Sequence, residues 1–138
     1  MTKIVGIDPG LAATGVGVVW GIGRVPSGCS YGCITTTQAL ALPQRLETIF
    51  DKTSAVLASE KPNLVVVEDV FTLSKFPKSA ISLSAVTGVV LLAASQHKIA
   101  VKQIPVREAK QVLTGNGSAS KAQLEKSVRQ RLALAEKI

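Results

Sequence analysis

The chain has 138 residues, a mean hydropathy of +0.32 and a formal net charge of +7. This size and hydropathy predict one domain with a sizeable buried core, and they exclude a disordered chain. Residues 79–96 carry no charge but include several serines and a threonine, so they are too polar for a membrane-spanning helix. No signal peptide precedes the first predicted strand, which indicates a cytoplasmic protein.

The positive charge is unevenly distributed along the chain. Residues 98–138 contain nine Lys and Arg against three Asp and Glu, whereas residues 1–97 contain seven against six. A basic C-terminal third predicts a polyanionic partner, with nucleic acid as the first candidate. The alternative is an ordinary solvated helix face.

The N-terminal segment gives the first structural prediction. Apolar residues 4–7 are followed by Asp8, Pro9 and Gly10, and a second run rich in Val and Gly begins at Thr14. This pattern predicts a β-hairpin of two central strands. Pro9 fixes φ and Gly10 tolerates a positive φ, so the first strand should end beside Asp8 at the rim of a sheet. The alternative is that Asp8 caps its own turn.

Glycines and cysteines give weaker signals. Gly15 and Gly17 disfavour a strand, which indicates a close approach by backbone, ligand or metal. Cys29 and Cys33 lie too far apart along a strand to pair easily, and His97 is the sole histidine, so no zinc site is predicted. Two buried, reduced thiols are the simpler interpretation.

Periodicity and turn signals predict the remaining elements and a fold of the α/β class. Ser120 and Gln123 have the spacing of a capping box before the last helix. The uninterrupted apolar run within residues 63–68 indicates a central parallel strand, so three antiparallel strands should continue into two parallel ones. After the hairpin, the predicted elements are a glycine-rich loop at 21–28, strands at 30–37, 63–68 and 100–104, and helices at 42–59, 77–97, 107–114 and after the turn at 115–118.

Two acids are expected at one rim of this sheet. Asp8 ends the first strand and Glu68 ends the fourth, so their carboxylates converge if those strands are neighbours. Mg²⁺ binds proteins through one or two carboxylates and keeps several waters. The sequence therefore predicts a magnesium site at Asp8 and Glu68. Asp69 should face the opposite side of the strand and is left out of the site.

Several segments in combination resemble one known family. They are Gly6–Gly10 with Thr14 and Gly15, Val67–Phe71, Lys110 with Gln111, and Gly115–Lys121. Together they resemble the RuvC family of bacterial Holliday junction resolvases, in register from Lys3 to about Leu134. The resemblance implies an RNase H-like fold and a homodimer. It also implies Mg²⁺-dependent, symmetric cleavage of four-way DNA junctions in recombination and repair, with a branch-migration helicase complex as partner.

The resemblance also implies roles for individual residues. Asp8 and Glu68 match the first two catalytic, metal-binding acids of the family. Phe71 matches an aromatic residue that contacts a base at the junction, and Lys110 and Lys121 match DNA-contacting lysines. These roles agree with two-metal hydrolysis, base stacking and phosphate binding at a helix start. The alternatives are a core phenylalanine under its loop and a solvated lysine.

The end of the sequence departs from the family pattern. The family completes its site, which holds two Mg²⁺ ions, with two more acids three residues apart on a helix after the last one predicted here. The sequence ends in Ala135–Ile138, where Glu136 does not match that pair. We therefore expect a single nuclease domain, residues 1–138, without the C-terminal helix of the family. Such a chain should bind junctions but cut them poorly or not at all.

The sequence is also compatible with two other functions, and it predicts a homodimer. An actin-like ATPase or sugar kinase shares the Gly-Ile-Asp-x-Gly hairpin, but it needs a second domain that 138 residues cannot supply. A non-catalytic junction-binding protein of the same fold is the second alternative. The uncharged helix near residues 80–95 contains many small residues, so we expect one of its faces on the sheet and the other on a second copy. The alternative is burial of this helix within one subunit.

Overall fold

The computed structural model describes residues 1–69 and 77–132 as a mixed sheet flanked by helices. The sheet has five strands in the order β3-β2-β1-β4-β5, with β1–β2 and β2–β3 antiparallel and β1–β4 and β4–β5 parallel. The predicted α/β arrangement is therefore confirmed. The elements are β1 (Thr2–Asp8), β2 (Ala13–Ile22), β3 (Val25–Thr35), α1 (Leu42–Glu60), β4 (Leu64–Asp69), α2 (Pro77–Gln96), β5 (Ala100–Pro105), α3 (Val106–Thr114) and α4 (Lys121–Leu132).

One face of the sheet is covered by α1 and α2, and the main core lies there. Alternate strand residues such as Val5, Val65 and Val67 are fully buried against Ile49 of α1 and Val86 of α2. These β-branched and aliphatic residues supply the apolar area whose burial drives folding. On the opposite face, α4 packs mainly against β3 and α3 packs beside β5. Within the described residues, no helix is long and apolar enough to cross a bilayer.

A pair of hydrogen bonds fixes the parallel pairing of β1 with β4. The amide N–H of Lys3 donates to Asn63 Oδ1 at 2.8 Å, and the amide N–H of Asn63 donates to the carbonyl of Lys3 at 2.8 Å. From this start Ile4 pairs with Leu64, and the register continues to Ile7 and Val67. Because side chains alternate along a strand, the next residues on both strands, Asp8 and Glu68, lie side by side on the same face.

The connection between β2 and β3 differs from the prediction. The prediction of a loop at residues 21–28 is wrong, because β2 and β3 both continue to a two-residue turn at Gly23 and Arg24. Gly23 has a φ of +60° in this turn. The other two glycines allow close packing within the hairpin. A Cβ on Gly21 would lie 2.2 Å from the carbonyl oxygen of Val25, and one on Gly28 would lie 2.5 Å from the Trp20 ring.

Thr53 offers a test of core packing. It lies on the buried face of α1, is 1% exposed, and its hydroxyl has no hydrogen-bond partner among the described residues. Because a buried, unpartnered hydroxyl costs free energy, Thr53→Val should raise the free energy of unfolding by about 1 kcal/mol. Thr48→Val is the matched control, since the Thr48 hydroxyl donates to the carbonyl of Gln44 at 3.1 Å and should give no gain. Urea unfolding of both variants measures the difference.

Candidate active site

The turn after β1 leaves the Asp8 side chain available for chemistry. The Thr14 hydroxyl donates to the carbonyl of Gly10 at 2.7 Å and accepts from the amide of Gly10 at 3.2 Å. Thr14 is fully buried, so this clamp is fixed in place. Within the described residues, Thr14 rather than Asp8 therefore makes the side-chain hydrogen bonds to this turn. Gly10 is needed for close approach rather than for a positive φ, because a Cβ there would lie 2.2 Å from the carbonyl oxygen of Ala13.

The carboxyl groups of Asp8 and Glu68 lie side by side at the rim of the sheet and interact with each other. Asp8 is exposed and Glu68 is half-buried. Burial has the largest effect on the pKa of Glu68, and together with a side-chain hydrogen-bonding interaction with Asp8 and the negative charge of Asp8 it raises this pKa to about 7. Ionising Glu68 in this half-buried position beside Asp8 costs free energy, so near pH 7 a large fraction of the Glu68 carboxyl groups stays protonated.

Two lysines act on the same carboxyl group. The positive charges of Lys121 and Lys110 each lower the pKa of Glu68, although burial and Asp8 outweigh them. Lys110 is half-buried on α3, and Lys121 is exposed at the first residue of α4. The structure thus brings four of the five predicted site residues together. The fifth, Phe71, lies outside the described residues.

The turn from α3 to α4 holds Lys121 in position. Gly115 ends α3 with a φ of +76°. The side chain of Gln111 donates to the carbonyl of Gly115 at 3.2 Å and accepts from the amide of Gly117 at 3.0 Å. Ser120 and Gln123 then exchange hydrogen bonds of 2.8 and 3.1 Å, which confirms the predicted capping box.

Sequence reasoning missed the roles of Thr14 and Gln111. Each uses one side chain to satisfy two backbone groups of a neighbouring turn. The available signal was spacing: Thr14 lies four residues after Gly10, and Gln111 lies four residues before Gly115. Polar residues at that distance from a turn glycine are candidates for such clamps.

An apolar trough of about 850 Å³ extends from the carboxyl pair across the open face of the sheet. Its floor includes Gly6 and Gly17, where an added Cβ would meet no atom within 4 Å, and Val128 of α4 lies along its side. The expected close approach of backbone to Gly17 is therefore not seen among the described residues. The small floor residues instead leave an open channel beside Asp8 and Glu68.

The thiols differ from the prediction. Cys29 and Cys33 are unpaired, as expected, but Cys29 is half-buried and Cys33 is exposed, so the prediction that both are buried is wrong. The reason is the position of β3 at the edge of the sheet, where only one side is paired. No cluster of three or more Cys, His, Asp or Glu occurs among the described residues.

The chemistry of the carboxyl pair fits a hard divalent cation. Its ligands are oxygens only, and one is exposed, so an ion can bind there and keep several waters. A cation would favour the ionised form of both carboxyl groups and would offset the burial and the repulsion by Asp8 that raise the pKa of Glu68. Lys110 and Lys121 are placed to attract the phosphate groups of a polyanion to the same rim.

Comparisons with known proteins identify the family. A family model described as crossover junction endodeoxyribonuclease RuvC matches residues 4–138. The chain belongs to the RuvC family. The crossover junction endodeoxyribonuclease RuvC of Carboxydothermus hydrogenoformans is 42% identical over 132 residues, which cover 96% of this chain and 82% of that protein. The RuvC of Pseudoalteromonas atlantica is 39% identical over 128 residues, which cover 93% and 73%.

Solved structures agree with this assignment. T. thermophilus RuvC in complex with Holliday junction substrate matches with a TM-score of 0.92 and 28% identity, over 100% of this chain and 84% of that one. The yeast mitochondrial Holliday junction resolvase Ydc2 has a TM-score of 0.64 at 11% identity, which supports the fold alone. The RNase H-like fold and the nuclease class predicted from the sequence are therefore confirmed. RuvC-type nucleases depend in general on divalent metal ions, which agrees with the oxygen ligands at this site.

The raised pKa of Glu68 predicts a pH-dependent stability. An acid with a raised folded-state pKa stabilises the fold fully below its unfolded value of 4.5, and this contribution is lost as pH rises through about 7. Glu68→Gln removes the repulsion, so at pH 8 the variant should be more stable by about 1 kcal/mol, after allowance for solvent screening of a half-exposed carboxyl, or ~3 °C in Tm. At pH 4 the gain should vanish. Thermal unfolding without metal at both pH values checks this, and an equal gain at pH 4 would contradict it.

Proposed function

We propose that this chain resolves Holliday junctions by Mg²⁺-dependent, symmetric strand cleavage. The meeting of the Asp8 and Glu68 carboxyl groups at one rim of the sheet, close to the positive charges of Lys110 and Lys121, is the observation that carries the proposal. Mg²⁺ bound there would activate a water molecule and stabilise the leaving oxygen of a phosphodiester. The relatives named above as crossover junction endodeoxyribonucleases support the choice of reaction. They also favour a nuclease over an actin-like kinase.

Each residue of the site has a proposed role. The oxygens of Asp8 and Glu68 hold the metal, and Lys110 and Lys121 bind phosphate groups on either side of the cleaved bond. Thr14 and Gln111 act only by positioning, since each fixes the turn next to one of these residues. Phe71 stacks on an unpaired base, a role that rests on the family resemblance alone.

Two Mg²⁺ ions are proposed for a complete site. Asp8 and Glu68 supply enough ligands for one largely hydrated ion, and a second ion needs further carboxylates. The expectation that residues 1–138 alone cut poorly therefore stays a prediction. The proposed partners are four-way junction DNA and a branch-migration helicase complex, in the bacterial cytoplasm.

A junction cleavage assay tests this function. A four-way junction labelled on one strand is incubated with excess protein, with and without Mg²⁺, beside a linear duplex of the same sequence. We expect the junction to bind at least about tenfold more tightly than the duplex and to be nicked only with Mg²⁺. Binding with no nicking, even after the chain is extended through the C-terminal acids of the family, would instead support the non-catalytic alternative.

A homodimer is proposed through the outer stripe of α2. The buried side of this helix, which includes Val86 and Val90, faces the core. The opposite stripe is apolar or small and carries no charge, although Ile81 is 69% exposed and Leu92 is 52% exposed. Exposed apolar residues in one contiguous stripe are typical of a helix that packs against another subunit. The residues of the stripe are Ile81, Ser84, Gly88, Leu92 and Ser95.

The dimer can be tested at Gly88, in the middle of that stripe. A Cβ there meets no atom within 4 Å, and replacing glycine in a helix interior adds helix propensity of about 0.8 kcal/mol. Gly88→Arg should therefore fold but place a charge in the interface, giving a monomer in light scattering at tens of micromolar. Ala58→Arg, at an exposed position of α1, is the control and should remain dimeric. A monomeric wild-type protein would contradict the proposal.

A further inference from the structure

The outer edge of β3 has the features of a binding site for an extended peptide. β3 is the last strand of the sheet and has eleven residues, none of them charged. Every second residue of an edge strand directs its backbone N–H and C=O groups away from the sheet. Proteins usually protect such an edge with charges or a covering element. Here most of the strand is exposed, and Tyr31 is 57% exposed.

A groove runs along this edge on the side of α1. It has a volume of about 210 Å³, with Val18 and Ile34 at its floor and Val56 of α1 on its wall. Ser30 and Gly32 have small side chains and leave the groove open toward the edge. On the other face, Tyr31 and Cys33 border the trough described above. A strand added at this edge would therefore place alternate side chains into two separate concavities.

We propose that an extended, acidic segment of another protein pairs with β3 as a sixth strand. The backbone groups of the edge supply affinity, and the groove beside α1 selects small apolar side chains at alternate positions. The ends of β3 are both basic. Arg24 is exposed at the turn before it, and Arg45 donates through Nε to Thr36 just after it, at 2.8 Å. Acidic residues at the two ends of the segment complement these arginines.

The same charges argue against pairing with a second copy. Each chain carries a net charge of +7. Antiparallel pairing of two β3 edges about their centres would bring Arg24 of each copy near Arg45 of the other. Repulsion between these arginines at both ends of the paired strands opposes self-association. An acidic segment is instead attracted to the arginines at both ends of β3.

The probe for this site is a synthetic nine-residue peptide with a central Val-Thr-Val-Thr-Val segment and two aspartates at each end. By fluorescence anisotropy at low salt, we expect binding with a Kd of about 100 μM or tighter. Replacing the aspartates by lysines, or methylating alternate backbone nitrogens of the peptide, should weaken binding by about tenfold or more. Amide hydrogen exchange measured by NMR should show new protection at alternate residues of β3 only.

Gly32→Ile is the variant that tests the groove. A Cβ on Gly32 meets no atom within 4 Å, so the larger side chain can be accommodated while it fills the groove. We expect about tenfold weaker peptide binding with an unchanged Tm. Ala55→Ile, on the exposed side of α1, adds similar apolar volume away from the groove and should bind like the wild type.

Three results would overturn the inference. The first is peptide binding that Gly32→Ile leaves unchanged, and the second is binding without protection of β3 amides. The third is a protein that self-associates through β3, seen as a dimer that Gly32→Ile dissociates and Gly88→Arg does not. If Gly32→Ile lowers the Tm, the inference is tested on the wild-type protein alone. In that case the peptide should still protect every second amide of β3 from hydrogen exchange.

Discussion

Replacing Asp8 by Asn or Glu68 by Gln is expected to lower the rate of junction cleavage by at least about 1,000-fold, or ~4 kcal/mol in the barrier. Each substitution removes one of two carboxylates that form a single site. Junction affinity should stay the same or increase, because the loss of a negative charge beside phosphate cannot weaken attraction. The rate is measured under single-turnover conditions with Mg²⁺, and affinity is measured by gel shift in its absence.

Asp69→Asn is the matched control for these variants. It removes the neighbouring carboxylate on the same strand, but side-chain alternation places Asp69 on the other face, so the cleavage rate should change by no more than about threefold. Mn²⁺ binding followed by water relaxation gives a second readout that needs no cleavage, and Asp8→Asn should weaken it. Full activity of Glu68→Gln would refute the site.

The second large effect is expected at the lysines. Lys121→Ala should weaken junction binding by about tenfold near 0.1 M salt and reduce the salt slope of log K by about one, because one phosphate contact is lost. Lys110→Ala should do the same, and the double variant should lose about two units of slope. Lys52→Ala, on the exposed side of α1, is the control with an equal change of charge. Affinities measured across a series of salt concentrations give these slopes.

The turn before α4 provides a contrast with the lysine variants. Gln111→Ala removes both hydrogen bonds that hold the turn but changes no charge. It should weaken binding less than Lys121→Ala, with an unchanged salt slope. Wild-type affinity and slope in the double lysine variant would show that the basic face is only solvated surface.

Turn chemistry and burial patterns allowed much of this site to be predicted. Pro9 marked the end of β1, and the apolar run before Glu68 marked β4 as a central strand, which the structure extends by one residue to Asp69. That β1 and β4 are neighbours was a condition of the prediction rather than a result of it. The expected meeting of Asp8 and Glu68 is confirmed by the register of the two strands, which pairs Ile7 with Val67 just before them. The pKa of Glu68 was not predictable, because it depends on burial and on charges from α3 and α4, far away in sequence.

The β2–β3 connection shows why other features were missed. Glycine in a sequence most often indicates a loop, but Gly21 and Gly28 lie within strands. A side chain at Gly21 would clash with the carbonyl of Val25, and a side chain at Gly28 would clash with the Trp20 ring, so only glycine fits at these strand positions. The crowding atoms belong to the neighbouring strand, so the local sequence does not show that these positions are crowded. The exposure of Cys33 has a similar origin, since Cys33 borders the trough on the open face of the sheet and the sequence of β3 does not show that this face is left open.

The bond between Lys3 and Asn63 also determines when the site can exist during folding. Asp8 belongs to a hairpin that forms from local contacts, but Glu68 joins it only after a chain segment of about sixty residues has closed through α1. Closure of so long a segment comes late in folding, because its entropy must be lost before the contacts form. A partly folded chain therefore presents no paired carboxylates to DNA. Metal ions bind only the finished fold and stabilise it by mass action.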